Sequence, residues 1–134
     1  MLNFKNIEGD IEFCGADEIR NFQDGLLRDA VEYLAEHSGY YRRMFRESGI
    51  DVGDIRTIDD LAHIPFTEKR DLQLYNEEFL CCPKAKIVDY ITTSGTLGEP
   101  VTFGCSEHDL QRLAYNEKKS FACAGLKPGS ILQL

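Results

Sequence analysis

A run of hydroxyl-bearing and glycine residues in the second half of the chain is the stretch best suited to chemistry. Residues 92–98 read Thr-Thr-Ser-Gly-Thr-Leu-Gly. Hydroxyl groups, together with backbone N–H groups that glycine lets turn inward, can surround an anion. Such a loop could grip the pyrophosphate that leaves when a carboxylate attacks the α-phosphate of ATP. The residues expected to contact phosphate are Thr93, Ser94, Gly95, Thr96 and Gly98.

A simple turn is the alternative explanation, because clusters of Ser, Thr and Gly between strands are most often turns. The order Thr-Ser-Gly-Thr-x-Gly-x-Pro over residues 93–100 and its position between two β-rich runs favour the phosphate function. The loop is not a Walker loop, because no Gly-Lys-Ser/Thr follows at the required spacing. It is not a dinucleotide fingerprint, because Gly-x-Gly-x-x-Gly is absent.

Two helices are expected in the first third of the chain. Asp17 is expected to cap the first helix, which runs to about His37. Its apolar side chains recur at steps of three and four, at Ile19, Phe22, Leu26, Ala30 and Tyr33. The second helix is expected over 40–48, closed by Gly49 in the left-handed conformation.

Shorter helices are expected in the middle of the chain. Thr57 is expected to cap a helix that runs through Ala62, with Asp60 near the capping-box position. Thr67 is expected to cap the next helix, over residues 68–75. Short segments of this kind resemble a segmented cap more than a bundle of long helices.

The residue pattern changes near Lys86 to the period of a β-sheet. Residues 87–91 and 101–103 are β-rich runs, and the glycine-containing loop between them predicts a hairpin or two neighbouring strands. Ser106 followed by Asp109 predicts a helix start, and that helix is expected to end near Gly125.

The last four residues, Ile131–Leu134, are expected to begin a further strand. A buried strand normally continues into a turn and another element. The apolar run at the terminus therefore suggests that the chain is part of a longer protein. A small domain ending in an edge strand is the alternative.

The loop at residues 93–100 resembles the signature loop of the adenylate-forming, AMP-binding superfamily. Four flanking blocks are similar to the N-terminal region of phenylacetate–CoA ligases: Tyr-Tyr-Arg-Arg-Met-Phe at 40–45, Gly-Ile-Asp at 49–51, Ile-Arg-Thr-Ile-Asp-Asp-Leu at 55–61 and Ile-Pro-Phe-Thr-Glu-Lys-Arg-Asp-Leu at 64–72. The resemblance covers most of residues 30–134. It implies a truncated α/β fold, in which a helical region (1–85) leads into the first strands of an adenylating domain (86–134).

The resemblance also implies a reaction for the parent protein. A small aryl or acyl carboxylic acid and ATP give an acyl-adenylate, and CoA then gives the thioester, with Mg²⁺ sharing the phosphate charge. No catalytic residue and no metal ligand is assigned to this chain, so the chain alone is expected to be inactive. Leu97 and Glu99 depart from the Thr and Lys that are common in the family loop, and Val101 stands where many superfamily members have a second Lys.

Two other functions remain open. An acyl-protein synthetase has a related loop but passes the acyl group to a protein thiol. A truncated paralogue could instead serve as a non-catalytic binding or assembly module. A CoA site or an acyl-accepting cysteine in the rest of the protein would distinguish the ligase from the synthetase, and a reading frame that continues after Leu134 would favour the ligase over the module.

Composition sets further limits. The 134 residues suit about one domain, with 43% hydrophobic and 28% charged residues. The net charge of −8 makes nucleic-acid or anionic-membrane binding improbable. The absence of a long apolar run or a signal-peptide pattern leads us to expect a cytoplasmic protein. The five cysteines are expected to be reduced. Apolar faces left uncovered by truncation predict a homo-oligomer.

Overall fold

The structure is a computed structural model that describes residues 11–94 and 99–133. The α-helices within those ranges are α1 (Ala16–His37), α2 (Gly39–Glu47), α3 (Lys69–Leu74) and α4 (Glu107–Cys123). Strands β1 (Ile87–Thr92) and β2 (Thr102–Ser106) form an antiparallel pair. Short 3₁₀-helices lie at Ile11–Phe13, Val52–Asp54, Ile58–His63, Asn76–Phe79 and Lys84–Lys86. The helical first half followed by a hairpin and a helix agrees with the predicted fold class.

The core of the helical half lies where α1 and α2 meet the connector that follows them. Val31 of α1, Phe45 of α2 and Ile55 are buried together, each less than 5% exposed. The partly buried side chains around them are Leu27, Leu34, Ala35, Tyr41, Met44, Ile50, Val52 and Ile64. The residues that α1 contributes to this core are Leu27, Val31, Leu34 and Ala35, whereas the predicted stripe residues Ile19, Phe22, Leu26, Ala30 and Tyr33 are half-buried outside it.

The start of α1 differs from the prediction. Gly15, not Asp17, is the N-cap, and Asp17 lies in the first turn. The reason is that the Glu18 carboxylate accepts a hydrogen bond from the Gly15 N–H at 3.2 Å. The Glu18 carboxylate, at the third helical position, therefore caps the helix, although the N-cap residue Gly15 has no side chain to do so.

The junction between α1 and α2 is held by Ser38, which is fully buried. Its hydroxyl accepts a hydrogen bond from the Tyr41 N–H at 3.3 Å and donates to the Glu78 carbonyl at 2.9 Å. The first bond caps α2, and the second joins this junction to the 3₁₀-helix 40 residues further on. The predicted left-handed glycine after α2 is confirmed, since Gly49 has a φ of 66°.

The middle segments match the prediction in part. The Thr57 and Asp60 capping box is confirmed, but Ile58–His63 is a 3₁₀-helix and not an α-helix. The expected Thr67 cap of α3 is wrong, because the N-cap is Glu68, whose N–H donates to the Asp71 carboxylate at 2.9 Å. The Thr67 hydroxyl is instead within hydrogen-bond distance of the Tyr41 hydroxyl at 3.3 Å.

The predicted hairpin is confirmed. Ile91 lies opposite Phe103, and Thr92 lies opposite Thr102, with a bulge near the start of β1. The helix start after β2 is also confirmed, because the Ser106 hydroxyl accepts from the Asp109 N–H at 3.4 Å. Helix α4 is followed by Gly125 with a φ of 81°, at the predicted end.

The expectation of a strand at the end of the chain is wrong for its described residues. Residues 131–133 have no regular secondary structure, and Ile131 is 97% exposed. A strand needs a hydrogen-bonded neighbour, and the sheet of the described residues contains only β1 and β2. Among the described residues, no helix has the length and apolar character needed to cross a membrane.

Candidate phosphate-binding loop

The base of the loop predicted to bind phosphate is closed by Thr93 and Val101. The Thr93 N–H donates to the Val101 carbonyl at 2.9 Å, and the Val101 N–H donates to Thr93 Oγ1 at 3.0 Å. Just below, the hydroxyls of Thr92 and Thr102 lie 3.1 Å apart. Val101 is only 3% exposed. The two arms of the loop are therefore joined where they leave the hairpin.

These bonds decide which atoms of Thr93 remain for an anion. Its N–H is engaged by Val101, so it is not a phosphate donor in this arrangement. Its hydroxyl accepts from Val101 and keeps the O–H as a donor. The next predicted residue, Ser94, is exposed. Gly95, Thr96 and Gly98, together with Leu97, lie outside the described residues.

The outgoing arm of the loop is also held from the helical half. The Gln73 side-chain amide donates to the Glu99 carbonyl at 2.6 Å, and the Asn76 amide donates to the Thr102 carbonyl at 2.9 Å. Each contact joins residues 26 positions apart. Sequence reasoning missed both residues, because no local pattern marks a side chain that bonds a distant backbone carbonyl.

An open groove of about 890 Å³ lies between the helical half, the hairpin and the start of α4. Tyr33 and Phe79 line one side, and Ile91, Phe103 and Cys105 of the hairpin contribute to the other. The Tyr33 hydroxyl donates to the Cys81 carbonyl at 3.0 Å. The groove is largely apolar, and its polar lining includes the charged residues Lys86, Glu107, Asp109 and Arg112.

Burial in this region changes the acidity of three side chains. It raises the pKa of Tyr33 above the ordinary 10.0, and the neighbouring Cys81 and Cys82 raise it further. Burial likewise raises the pKa of the Cys81 and Cys105 thiols above 9.0. These groups are therefore neutral at pH 7 and give the groove no negative charge of their own.

Two aromatic residues of α2 pack against Phe79, which also lines the groove. The Tyr40 ring stacks on Phe79 with centroids 4.0 Å apart, and the Arg43 guanidinium lies 4.6 Å from the centre of the Tyr75 ring. Arg43 also forms an ion pair with Glu78. These side chains pack against each other, which holds the 3₁₀-helix at Asn76–Phe79 against α2.

Metal ligands are not clustered in the part of the chain that the structure describes. No group of three or more His, Cys, Asp or Glu side chains there could hold a metal ion. Cys14, Cys81, Cys82, Cys105 and Cys123 form no disulfide. We therefore assign no residue of this chain to Mg²⁺.

Sequence comparison identifies relatives over nearly the whole chain. No family profile matches the sequence. A phenylacetate-coenzyme A ligase of Thermus thermophilus is 33% identical over 124 residues, which cover 92% of this chain and 28% of that protein. The phenylacetate-coenzyme A ligase of Escherichia coli is 30% identical over 119 residues, which cover 88% of this chain and 27% of that protein. The chain thus spans little more than a quarter of the curated relatives it matches.

Solved structures of 2-hydroxyisobutyryl-CoA ligase have the same fold over this region. One, in the postadenylation state with R3-HIB-AMP, has a TM-score of 0.77 and 25% identity, covering 85% of this chain and 25% of that one. Another, with 2-HIB-AMP and CoA in the thioesterification state, has a TM-score of 0.69 and 28% identity, covering 76% and 23%.

Fold and sequence together define the class. The chain has the fold of the N-terminal part of the acyl-CoA ligases of the adenylate-forming family. Within that family it is a phenylacetate–CoA ligase-like segment, as its sequence relatives show. The resemblance stated from the loop and its flanking blocks is therefore confirmed.

Proposed function

We propose that this chain supplies the triphosphate-gripping part of an ATP-dependent aryl- or acyl-CoA ligase. Residues 1–85 form its helical region, and residues 86–134 begin its nucleotide-binding domain. The observation that carries the proposal is the closure of the loop base by Thr93 and Val101, which leaves the Thr93 O–H available as a hydrogen-bond donor. Thr93, Ser94, Gly95, Thr96 and Gly98 are the proposed phosphate contacts.

The reaction proposed for the whole protein has two steps. The carboxylate oxygen of a small aryl or acyl acid attacks the α-phosphorus of ATP, the bond to the bridging oxygen breaks, and pyrophosphate leaves. The CoA thiol then attacks the acyl-adenylate and releases AMP. The loop contributes donors that balance the negative charge of the leaving pyrophosphate. Mg²⁺, when bound, would neutralise part of the same charge, and no residue here is assigned to it or to CoA.

Glu99 sets a limit on the affinity of the loop. Its carboxylate is exposed beside the proposed phosphate site, and its backbone carbonyl is held by Gln73. A negative charge here opposes the approach of an anion. We expect Glu99→Lys to tighten pyrophosphate binding, most clearly at low ionic strength, where charges are least screened.

The compartment and assembly state belong to the same proposal. Five cysteines without a disulfide favour a reducing compartment such as the cytoplasm. Exposed apolar side chains on the hairpin, among them Val88 at 56% and Tyr90 at 62%, favour a homo-oligomer. Light scattering at several concentrations tests this, and a monomeric mass at the highest concentration contradicts it.

The phosphate proposal is tested on the purified chain by titrating sodium pyrophosphate and following backbone amide resonances. We expect saturable shifts concentrated at residues 93–99, and none from sodium chloride at equal ionic strength. We also expect no ATP–pyrophosphate exchange, because the chain contains no assigned catalytic group. Shifts spread evenly over the surface would contradict the loop assignment, and robust exchange would contradict the expected inactivity.

A further inference from the structure

Two amide side chains connect the helical half to the outgoing arm of the loop. Gln73 lies on α3 and Asn76 begins the following 3₁₀-helix. Their donors bond the carbonyls of Glu99 and Thr102, on either side of the buried Val101. The two contacts thus hold the arm at two points, three residues apart.

The position of the loop follows from these contacts. The incoming arm is bonded to the outgoing arm through Thr93 and Val101. The outgoing arm is in turn bonded to α3 and its extension through Gln73 and Asn76. Donors that stabilise a developing anion act best when they are held in place beforehand, because an unfixed loop must be ordered during binding.

We propose that Gln73 and Asn76 are positioning residues, which fix the outgoing arm of the phosphate loop through the backbone carbonyls of Glu99 and Thr102. The inference rests on the proposed function, since it assumes that the loop receives the triphosphate of a nucleotide. Neither residue touches the phosphate, and both act through the backbone of the outgoing arm. The helical half therefore takes part in nucleotide binding although it supplies no phosphate ligand.

The test uses the full 134-residue chain and a double variant, Gln73→Met with Asn76→Leu. Both substitutions keep an uncharged side chain of similar length and remove the N–H donors. The matched control is Gln111→Met with Asn116→Leu, because Gln111 and Asn116 are exposed on α4. Three quantities are measured: the pyrophosphate dissociation constant, the exchange rates of individual backbone amides and the urea midpoint of unfolding.

We expect the dissociation constant of the double variant to rise about tenfold, which is the effect of losing one to two net hydrogen bonds. The amides of Thr93 and Val101 should exchange faster than in the control, while those of α1 and α2 keep their rates. Each single variant should give a smaller change in the same direction. A merely structural role would instead speed exchange throughout the chain and lower the urea midpoint.

The two possible failures are distinguishable. If the unmodified chain shows no saturable pyrophosphate binding, the proposed function itself is wrong. If the unmodified chain binds and the double variant binds equally well, with unchanged Thr93 and Val101 exchange, the positioning role is wrong. Uniformly faster exchange in both single variants also overturns it, because the residues would then stabilise the fold and not the loop.

Discussion

Thr93 and Val101 exchange two hydrogen bonds across the base of the loop, one through the Thr93 N–H and one through its hydroxyl. The second bond matters most, because Val101 is buried and its N–H has the Thr93 hydroxyl as acceptor. A single side-chain oxygen thus closes the base of the loop and still carries an O–H that can donate.

The Thr93 hydroxyl gives the first prediction. Thr93→Val keeps the shape of the side chain and leaves the buried Val101 N–H without its acceptor, which costs about 1–3 kcal/mol. We expect a lower free energy of unfolding in urea and weaker pyrophosphate binding. Thr93→Ser retains the hydroxyl and should bind pyrophosphate nearly as well as the unmodified chain. Equal behaviour of the Val and Ser variants would rule out this role of the hydroxyl.

Ser38 gives the second prediction, which concerns the stability of the helical half. Ser38→Ala removes the cap of α2 and leaves the Glu78 carbonyl without its buried donor. We expect the free energy of unfolding to fall by about 1–3 kcal/mol. The control is Ser48→Ala, at an exposed position after α2, where a change within about 0.5 kcal/mol is expected. Similar losses in both variants would show that the buried contact is unimportant.

Asp60 gives the third prediction, on pH dependence. Backbone N–H groups of Thr57 and Arg56, and the Thr57 hydroxyl, hold the pKa of this carboxyl below its ordinary 3.8. A lowered pKa in the folded state means that the carboxylate stabilises the fold above pH 3.8. That contribution is lost as the pH falls through the folded pKa.

The matching experiment compares the unmodified chain with Asp60→Asn by thermal unfolding between pH 7 and pH 2. We expect the variant to melt at a lower temperature at pH 7, with the difference shrinking below pH 3.8. Asp29→Asn, at an exposed position of α1, serves as the control, because it also removes one carboxylate and leaves the Asp60 hydrogen bonds in place. A constant difference between Asp60→Asn and the unmodified chain at every pH would refute the linkage.

Local signals account for the elements that the sequence predicted correctly. Gly49 follows a helix and adopts the left-handed conformation, and the Ser106–Asp109 pair caps α4, because both depend on residues within one turn. The hairpin was predictable from two β-rich runs separated by a glycine-containing loop. The resemblance to the adenylate-forming superfamily rests on the same loop, so one stretch of sequence predicted both the hairpin and the class of function.

Contacts between distant segments account for what the sequence could not predict. Thr67 was a reasonable cap for α3, but the N-cap is Glu68, whose N–H donates to the Asp71 carboxylate. The Thr67 hydroxyl lies within hydrogen-bond distance of the Tyr41 hydroxyl instead. The bond from Gln73 to Glu99 depends on how the helical half meets the loop, which no local pattern encodes. A cap has several competing candidates nearby, and the tertiary arrangement selects among them.

The cysteines give the fourth prediction, because their environments differ. Cys14 and Cys123 are exposed, whereas Cys105 on β2 is buried and Cys81 is partly buried at the groove. Burial raises the pKa of Cys81 and Cys105 above 9.0, so their reactive thiolate forms are scarce at pH 7.5. We expect iodoacetamide to modify Cys14 and Cys123 first and Cys105 last.

The order of modification is measured by quenching the reaction at intervals and identifying the alkylated peptides by mass spectrometry. The unfolded chain in urea is the control, where the five thiols should react at similar rates because the difference in burial is gone. Raising the pH from 7.5 to 9 should speed the modification of Cys81, because its thiolate fraction increases as the pH approaches its pKa, which lies above 9.0. Cys105 should remain slow at pH 9, because its sulfur is shielded as well as protonated. If Cys105 reacts as fast as Cys123 in the folded chain, its side chain is not buried, and the packing described for β2 is wrong.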